Sequence, residues 1–280
     1  MTKRKRSAAD RVAVVGLWVL AALFLLPVVL VAVNSFKSSL YITGAPFTLP
    51  NAHTFVGLKN YLTGLTSAGF LAAFGRSVFI TVGSVGLIVL GSSMTAWYIT
   101  RAKTRLMQVL YYLFVFSMLV PFQMVMYTVT YVVGQLNLDN LLGILFVYLG
   151  FGAGLSVFML SGFVRAIPLE IEEAATMDGC SPLQCFFRVV FPIMRPTAVT
   201  VAILNAMWVW NDYLLPYLVL GTDEKTVPVA IQISMQGAYG STDYGGLMAM
   251  LVLAIIPIIA FYLVGQKYII EGVVAGAVKG

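Results

Sequence analysis

Charge is what this chain has least of. Only 10% of its residues are Asp, Glu, Lys or Arg, against 60% hydrophobic, where a soluble domain carries about 25% charged residues. A water-soluble globule is excluded, and the composition belongs in lipid. Histidine is nearly missing: His53 stands alone in a loop with no partners at ligand spacing, so it reads as a solvated residue and no metal site is expected. The two cysteines, Cys180 and Cys185, share one polar loop and lack the partners of a zinc site. In a cytosolic loop they would stay reduced, so free thiols are expected. No Gly-x-x-x-x-Gly-Lys run is present, so this chain holds no P-loop for ATP. His-Glu-x-x-His and Gly-x-Ser-x-Gly are absent too, which argues against a membrane hydrolase, and no catalytic residue is expected. A phosphotransfer permease would need a phosphorylatable Cys or His facing the cytoplasm. Cys180 and Cys185 are formally available, but no accompanying domain is present.

What the chain has is long apolar runs. The first, Val12 to Val33, is 22 residues long behind Lys3, Arg4, Lys5, Arg6 and Arg11. That is too long for a signal peptide, and no small-x-small cleavage site follows, so an uncleaved span kinked at Pro27 is expected. Residues 34–75 read as an exposed extracytoplasmic loop with a short helix near Leu58 to Leu65. Further spans are expected at Ser77–Ile99, Leu106–Val133, Leu141–Val164, Thr197–Leu220 and Gly246–Val264, each meeting the requirement of about 20 residues. The third is long enough to tilt, and the fifth is interrupted by polar residues. The expected architecture is an all-α, polytopic membrane protein of six transmembrane helices. A basic N-terminus (1–11) and first helix (12–33) precede the loop (34–75), the main membrane domain (76–266) and a tail (267–280).

Basic residues orient it. With a cytoplasmic N-terminus, 13 Lys and Arg fall inside and four (Lys37, Lys59, Arg76, Lys225) outside, a positive-inside bias. Both termini are then cytoplasmic, and the net charge of +6 is a topology signal. No nucleic-acid partner is implied.

The stretch Arg165–Pro196 is the longest polar interruption on that inner side. Pro168 suits a first helical turn, and Glu170, Glu172 and Glu173 lie near its positive end. Gly179 supplies a left-handed stop, then Ser181-Pro182 reads as N-cap and N1 of a second helix running through Phe187 and ending before Pro192. Such a helix-turn-helix between two spans is a rigid part on which another protein can push. Within the fifth span, Asn205, Trp208 and Asp212 share one helical face, with Asn211 beside them. Asp212 is the one acid in the predicted spans, where it costs about 2.5–3.5 kcal/mol at mid-helix. Two readings stand level: a hydrogen-bonding, ring-stacking path for a neutral polyol, or an aromatic belt with Asp212 holding a kinked backbone. The third span adds Gln123 and Tyr127 beside Pro121. The glycines of the fourth (Gly143, Gly150, Gly152, Gly154, Gly162) favour close helix packing over sugar contact.

Glu173-Ala174-Ala175, three residues, Gly179, nine residues, then Val189-x-Phe191-Pro192 resembles the E-A-A…G…I-x-L-P loop of ABC importer permeases, with Val and Phe for Ile and Leu. "WNDYLLPYLVL" and the ending "QKYIIEGVVAGAVKG" resemble the carbohydrate-uptake branch, with Tyr213 where Phe is common. From roughly the second span onward the chain is similar to MalG-like permease subunits. The resemblance implies a MetI-like, type I importer permease fold in the inner cell membrane, and the function of the membrane part of a binding-protein-dependent sugar importer working by alternating access. It implies a second permease subunit (a heterodimer), two ATPase subunits that bind ATP and magnesium, an extracytoplasmic solute-binding protein and a sugar substrate. No cofactor is expected in this chain. Glu173, Ala174, Ala175, Asp178, Gly179 and Pro192 would couple to the ATPase, Glu173 pairing with a basic residue there. "YLGFGAGLSVFMLSGF" looks most like permeases for α-galactosides. The rival class, an ion-coupled secondary carrier, usually needs several intramembrane acids.

Overall fold

In the computed structural model, which describes residues 8–67, 69–236 and 242–277, the described residues are mostly helical. The elements are α1 (Ala8–Asn34), α2 (Ser39–Gly44), α3 (Lys59–Ser67), α4 (Phe70–Ala102), α5 (Arg105–Ser117), α6 (Phe122–Gln135), α7 (Gly143–Val164), α8 (Leu169–Met177), α9 (Pro182–Cys185), a π-helical turn (Phe186–Val190), α10 (Phe191–Asn211), α11 (Leu214–Leu220), α12 (Val227–Gln236) and α13 (Tyr244–Ala277). No strand occurs among the described residues; Lys37 and Phe55 form an isolated antiparallel bridge. Among the described residues, five helical stretches are long and apolar enough to cross a membrane: Arg11–Asn34, Phe70–Ala102, Gly143–Val164, Pro182–Asn211 and Tyr244–Leu263.

A sixth crossing exists only if α5 and α6 count together, because they meet at 109°. The expected continuous span Leu106–Val133 is therefore broken. Its cause is local. Pro121 has no N–H to give and forces Val120 out of helical geometry, so α5 ends at Ser117 and Pro121 caps α6 with φ −63° and ψ 137°. Proline alone does not break a span, since α1 is continuous through Pro27 and α13 through Pro257.

The chain divides into two compact units, residues up to 71 with 230–256, and residues 72–229 with 257 onward. In the first, the segment after α1 is knotted by hydrogen bonds and is not simply an exposed loop. Asn34 Nδ2 donates to the Leu30 and Pro46 carbonyls, and buried Asn60 donates to those of Ser35 and Lys37. Lys37, fully buried, donates from Nζ to the Ala45 carbonyl at 3.0 Å, and burial lowers its pKa. His53 is exposed, as expected. Gly245 lets α13 approach, for a Cβ there would lie 2.5 Å from Asn60 Oδ1.

The second unit is built on α7, which packs against α5 and α10. Its glycines explain the closeness. A Cβ on Gly154 would strike Ser117 Oγ and the Phe114 carbonyl of α5, and one on Gly152 would strike Ile88 and Asn205 Oδ1. Gly150 and Gly162 face open space. Two apolar clusters result. One joins Ala96, Val157, Leu160, Phe186, Val190 and Met194; the other joins Ile80, Ile144, Tyr148, Val209 and Leu215. A functional feature lies beside each.

Candidate functional site: an elbow and a polar break

The elbow begins at Pro168, which precedes α8 as its cap. Cys180 N–H donates to the Ala175 carbonyl and Gly179 N–H to that of Thr176, both at 3.0 Å. This is the Schellman pattern, which needs a left-handed residue at its turn, and Gly179 supplies it at φ +82°. Ser181 then caps α9 reciprocally with Gln184, and Pro182 stands at the first position. The second helix does not end before Pro192, however. It runs from Pro182 to Asn211 through the π turn, where Phe191 N–H reaches back five residues to the Phe186 carbonyl. The wider turn makes room for the pyrrolidine ring of Pro192 beside the preceding turn's carbonyls. Phe186 is fully buried against Trp97, Phe187 and Phe191, so the widening sits in an aromatic cluster.

One side of α8 is held and the other is free. Ala175 is buried in the chain's own core, whereas Glu173, Ala174, Asp178, Gly179 and Pro192 are exposed. Sequence reasoning treated Glu172 as one of three dipole-side acids; here it is buried. Its Oε1 accepts from Arg101 Nε at 2.8 Å and Nη2 at 2.6 Å, and Oε2 accepts from Trp97 Nε1 at 2.8 Å. Arg101 Nη2 also donates to the Ile167 carbonyl at 2.9 Å. A two-pronged guanidinium–carboxylate pair holds geometry as well as charge, so α8 is fastened to the end of α4. Cys185 is buried and Cys180 partly so, both as free thiols. Beneath the elbow lies a cleft of about 590 Å³ lined by Trp97, Glu172, Glu173, Met177, Cys180 and Pro182.

The polar break lies between α10 and α11. Asp212 Oδ1 accepts from the Leu214 and Leu215 N–H groups at 3.0 and 3.4 Å, capping α11. Its Oδ2 accepts from Tyr148 Oη at 3.0 Å. Trp208 meets the same tyrosine ring edge-on at 5.4 Å. Asn205 is buried, its amide donating to Ser156 Oγ at 3.1 Å. So Asn205, Trp208 and Asp212 share a face, and that face meets α7. Asn211 is exposed and bonds the Met207 carbonyl, while Gln123 and Tyr127 are exposed on α6 and are not gathered with the others.

Residues 87–274 match the family described as "Binding-protein-dependent transport system inner membrane component". This chain belongs to that family. Family members are membrane permease components of binding-protein-dependent ABC importers, so this is a multi-pass membrane protein and the partners implied are an ATPase and a binding protein. The chain is 36% identical to a probable starch degradation products transport system permease, AmyC of Thermoanaerobacterium thermosulfurigenes, over 93% of this chain and 94% of that one. It is 34% identical to a multiple sugar-binding transport system permease, MsmG of Streptococcus mutans, over 92% of each. Among solved structures, a chain of a bacterial ABC transporter importing the acidic polysaccharide alginate superposes with a TM-score of 0.78 at 24% identity, covering 95% of this chain and 99% of that one. That likeness carries the fold: a helical ABC-importer permease of the MetI-like type. The elbow, Arg165 to Pro196, and the break at Asp212 both fall inside the matched region.

Proposed function

We propose that this permease moves an oligosaccharide into the cytoplasm, driven by ATP that a separate ATPase hydrolyses. Its termini face the cytoplasm, and a second, related permease completes the membrane pathway. Two ATPase subunits, holding ATP and magnesium, sit against the elbow, and an extracytoplasmic solute-binding protein delivers the sugar. This chain itself catalyses no reaction. Sugar is the cargo because the two permeases compared above carry sugar names, and both alignments span nearly the whole chain.

The observation that carries the mechanism is the two-sided α8. Glu173, Ala174 and Asp178 are presented outward while Glu172 and Arg101 fasten the helix to α4. A push by the ATPase on the exposed side is transmitted to a spanning helix through a short, charge-assisted link. Closure of the ATPases would rock α4 and α10 and open the pathway outward, and hydrolysis would reset it. Ala175 acts from inside, as the small residue that lets α8 lie on the core.

An ion-coupled carrier is not favoured. Asp212, the acid such a carrier would use, already accepts from a tyrosine and two backbone N–H groups. The α-galactoside resemblance of residues 148–163 falls on α7, which is packed against α5 and α10, so choice among sugars is left to the binding protein. Uptake into proteoliposomes holding the full assembly tests the reading. Radiolabelled oligosaccharide should enter only with internal ATP and binding protein, and proton uncouplers should leave the rate unchanged. Collapse of uptake by uncouplers at clamped ATP would overturn it.

A further inference from the structure

The ends of α4, α5 and α7 enclose a second cleft, of about 620 Å³, distinct in its chemistry from the one beneath the elbow. Arg101, Lys103, Arg165, Gln108, Tyr111 and Tyr112 line it, and no acid does. Arg101 is committed to Glu172. Lys103 and Arg165 are exposed, and among the described residues neither has a carboxylate partner. Arg165 instead stacks its guanidinium 5.0 Å from the centre of the Tyr111 ring, which fixes it at the cleft wall. Lys103 is held in a left-handed turn, φ +46°, between α4 and α5.

Their depth says what the charge is for. Lys103 directly follows the last residue of α4, and Arg165 directly follows the last residue of α7. Both therefore stand where apolar spans give way to water. Tyr111 and Tyr112 lie one to two turns into α5, the level at which amphipathic rings favour the headgroup zone. Beyond them α5 presents Leu113 and Phe116, each more than half exposed. Two unpaired cations, then tyrosine hydroxyls, then an apolar strip are the profile of an amphiphile with an anionic head.

We infer that this cleft binds an anionic glycerophospholipid, its phosphate between Lys103 and Arg165 and its acyl chains along α5. A lipid there would sit against the α4 end to which Arg101 and Glu172 fasten the elbow, which gives membrane composition a place to act on coupling. Placing this lipid in the inner leaflet rests on the transport reading, whereas its binding does not. Binding is measured without transport, so either claim can fail alone.

The test is native mass spectrometry of the detergent-purified full chain with its co-purifying subunits, titrated with phosphatidylglycerol and, separately, phosphatidylcholine. Phosphatidylglycerol should be retained preferentially. The double variant Lys103→Gln/Arg165→Gln should bind it roughly 10- to 30-fold more weakly, from two interfacial cations removed, while Lys103→Arg/Arg165→Lys keeps it. Equal retention by the glutamine variant overturns the proposal. So does displacement of the lipid by millimolar inorganic phosphate, which would mark a site for free anions. Loss of the ATPase subunits with lipid retention intact also overturns it, since the cleft would then be a protein contact.

Discussion

Two carboxylates in the second unit lie at helix junctions, and their surroundings differ in kind. Glu172 meets a guanidinium, an indole N–H and nothing else it could release. Asp212 meets a phenol and two backbone N–H groups at the start of a helix, with no cation. A carboxylate clamped by a two-pronged cation resists rotation, because two bonds must break together. One held by neutral donors alone, a hydroxyl and two backbone N–H groups, has no ion pair to break when it swings. Under the proposed function the elbow is the fastening that receives a push, and the break at Asp212 is the hinge that bends.

The largest effect expected is at the fastening. Glu172→Ala leaves the partly buried Arg101 without its carboxylate, costing about 1.5–3 kcal/mol, and should abolish uptake while lowering the melting temperature in detergent. Replacing both partners, Arg101→Met with Glu172→Leu, should restore most of the melting temperature without restoring uptake. Recovery of full transport would mean that packing, and not the ion pair, links α8 to α4. Next is Gly179→Asp, which forces a side-chain-bearing residue into φ +82° at about 1–2 kcal/mol, with uptake lost and binding-protein docking kept. Normal transport in that variant would count heavily against a rigid elbow. At the hinge, Asp212→Ala leaves α11 uncapped and should cost about 0.5–2 kcal/mol, with uptake slowed but not lost. Smallest is Tyr148→Phe, about 0.5–1.5 kcal/mol, read as a shift in thermal unfolding with near-normal transport. Should Tyr148→Phe prove as damaging as Glu172→Ala, the distinction between fastening and hinge would collapse.

How far these features were legible differed for a physical reason. Five spans followed from hydropathy, because lipid demands a long apolar run wherever a helix crosses. The elbow's first half was legible as well, since Gly179, Ser181 and Pro182 act on their own backbone within a few residues. Pro121 carried a signal for the break between α5 and α6, but Pro27, Pro196 and Pro257 lie inside unbroken helices, so proline alone did not decide it. The passage of α10 through Pro192 depends on the π turn, which aromatic packing around Phe186 supports from outside the segment. The Arg101–Glu172 pair spans 71 positions, and no local pattern joins residues so far apart. The shared face of Asn205, Trp208 and Asp212 was legible as periodicity. That it meets α7 was not, because a helical period tells which residues align and not what they face.

The claim that matters most is that the exposed side of α8 is where an ATPase pushes. A single cysteine at Ala174, with Cys180→Ser and Cys185→Ala removing the native thiols, puts a crosslinker on that side. In membranes holding the assembled transporter it should join the ATPase subunit and resist an impermeant maleimide added from outside. Labelling by the external reagent, with no ATPase adduct, would contradict the account.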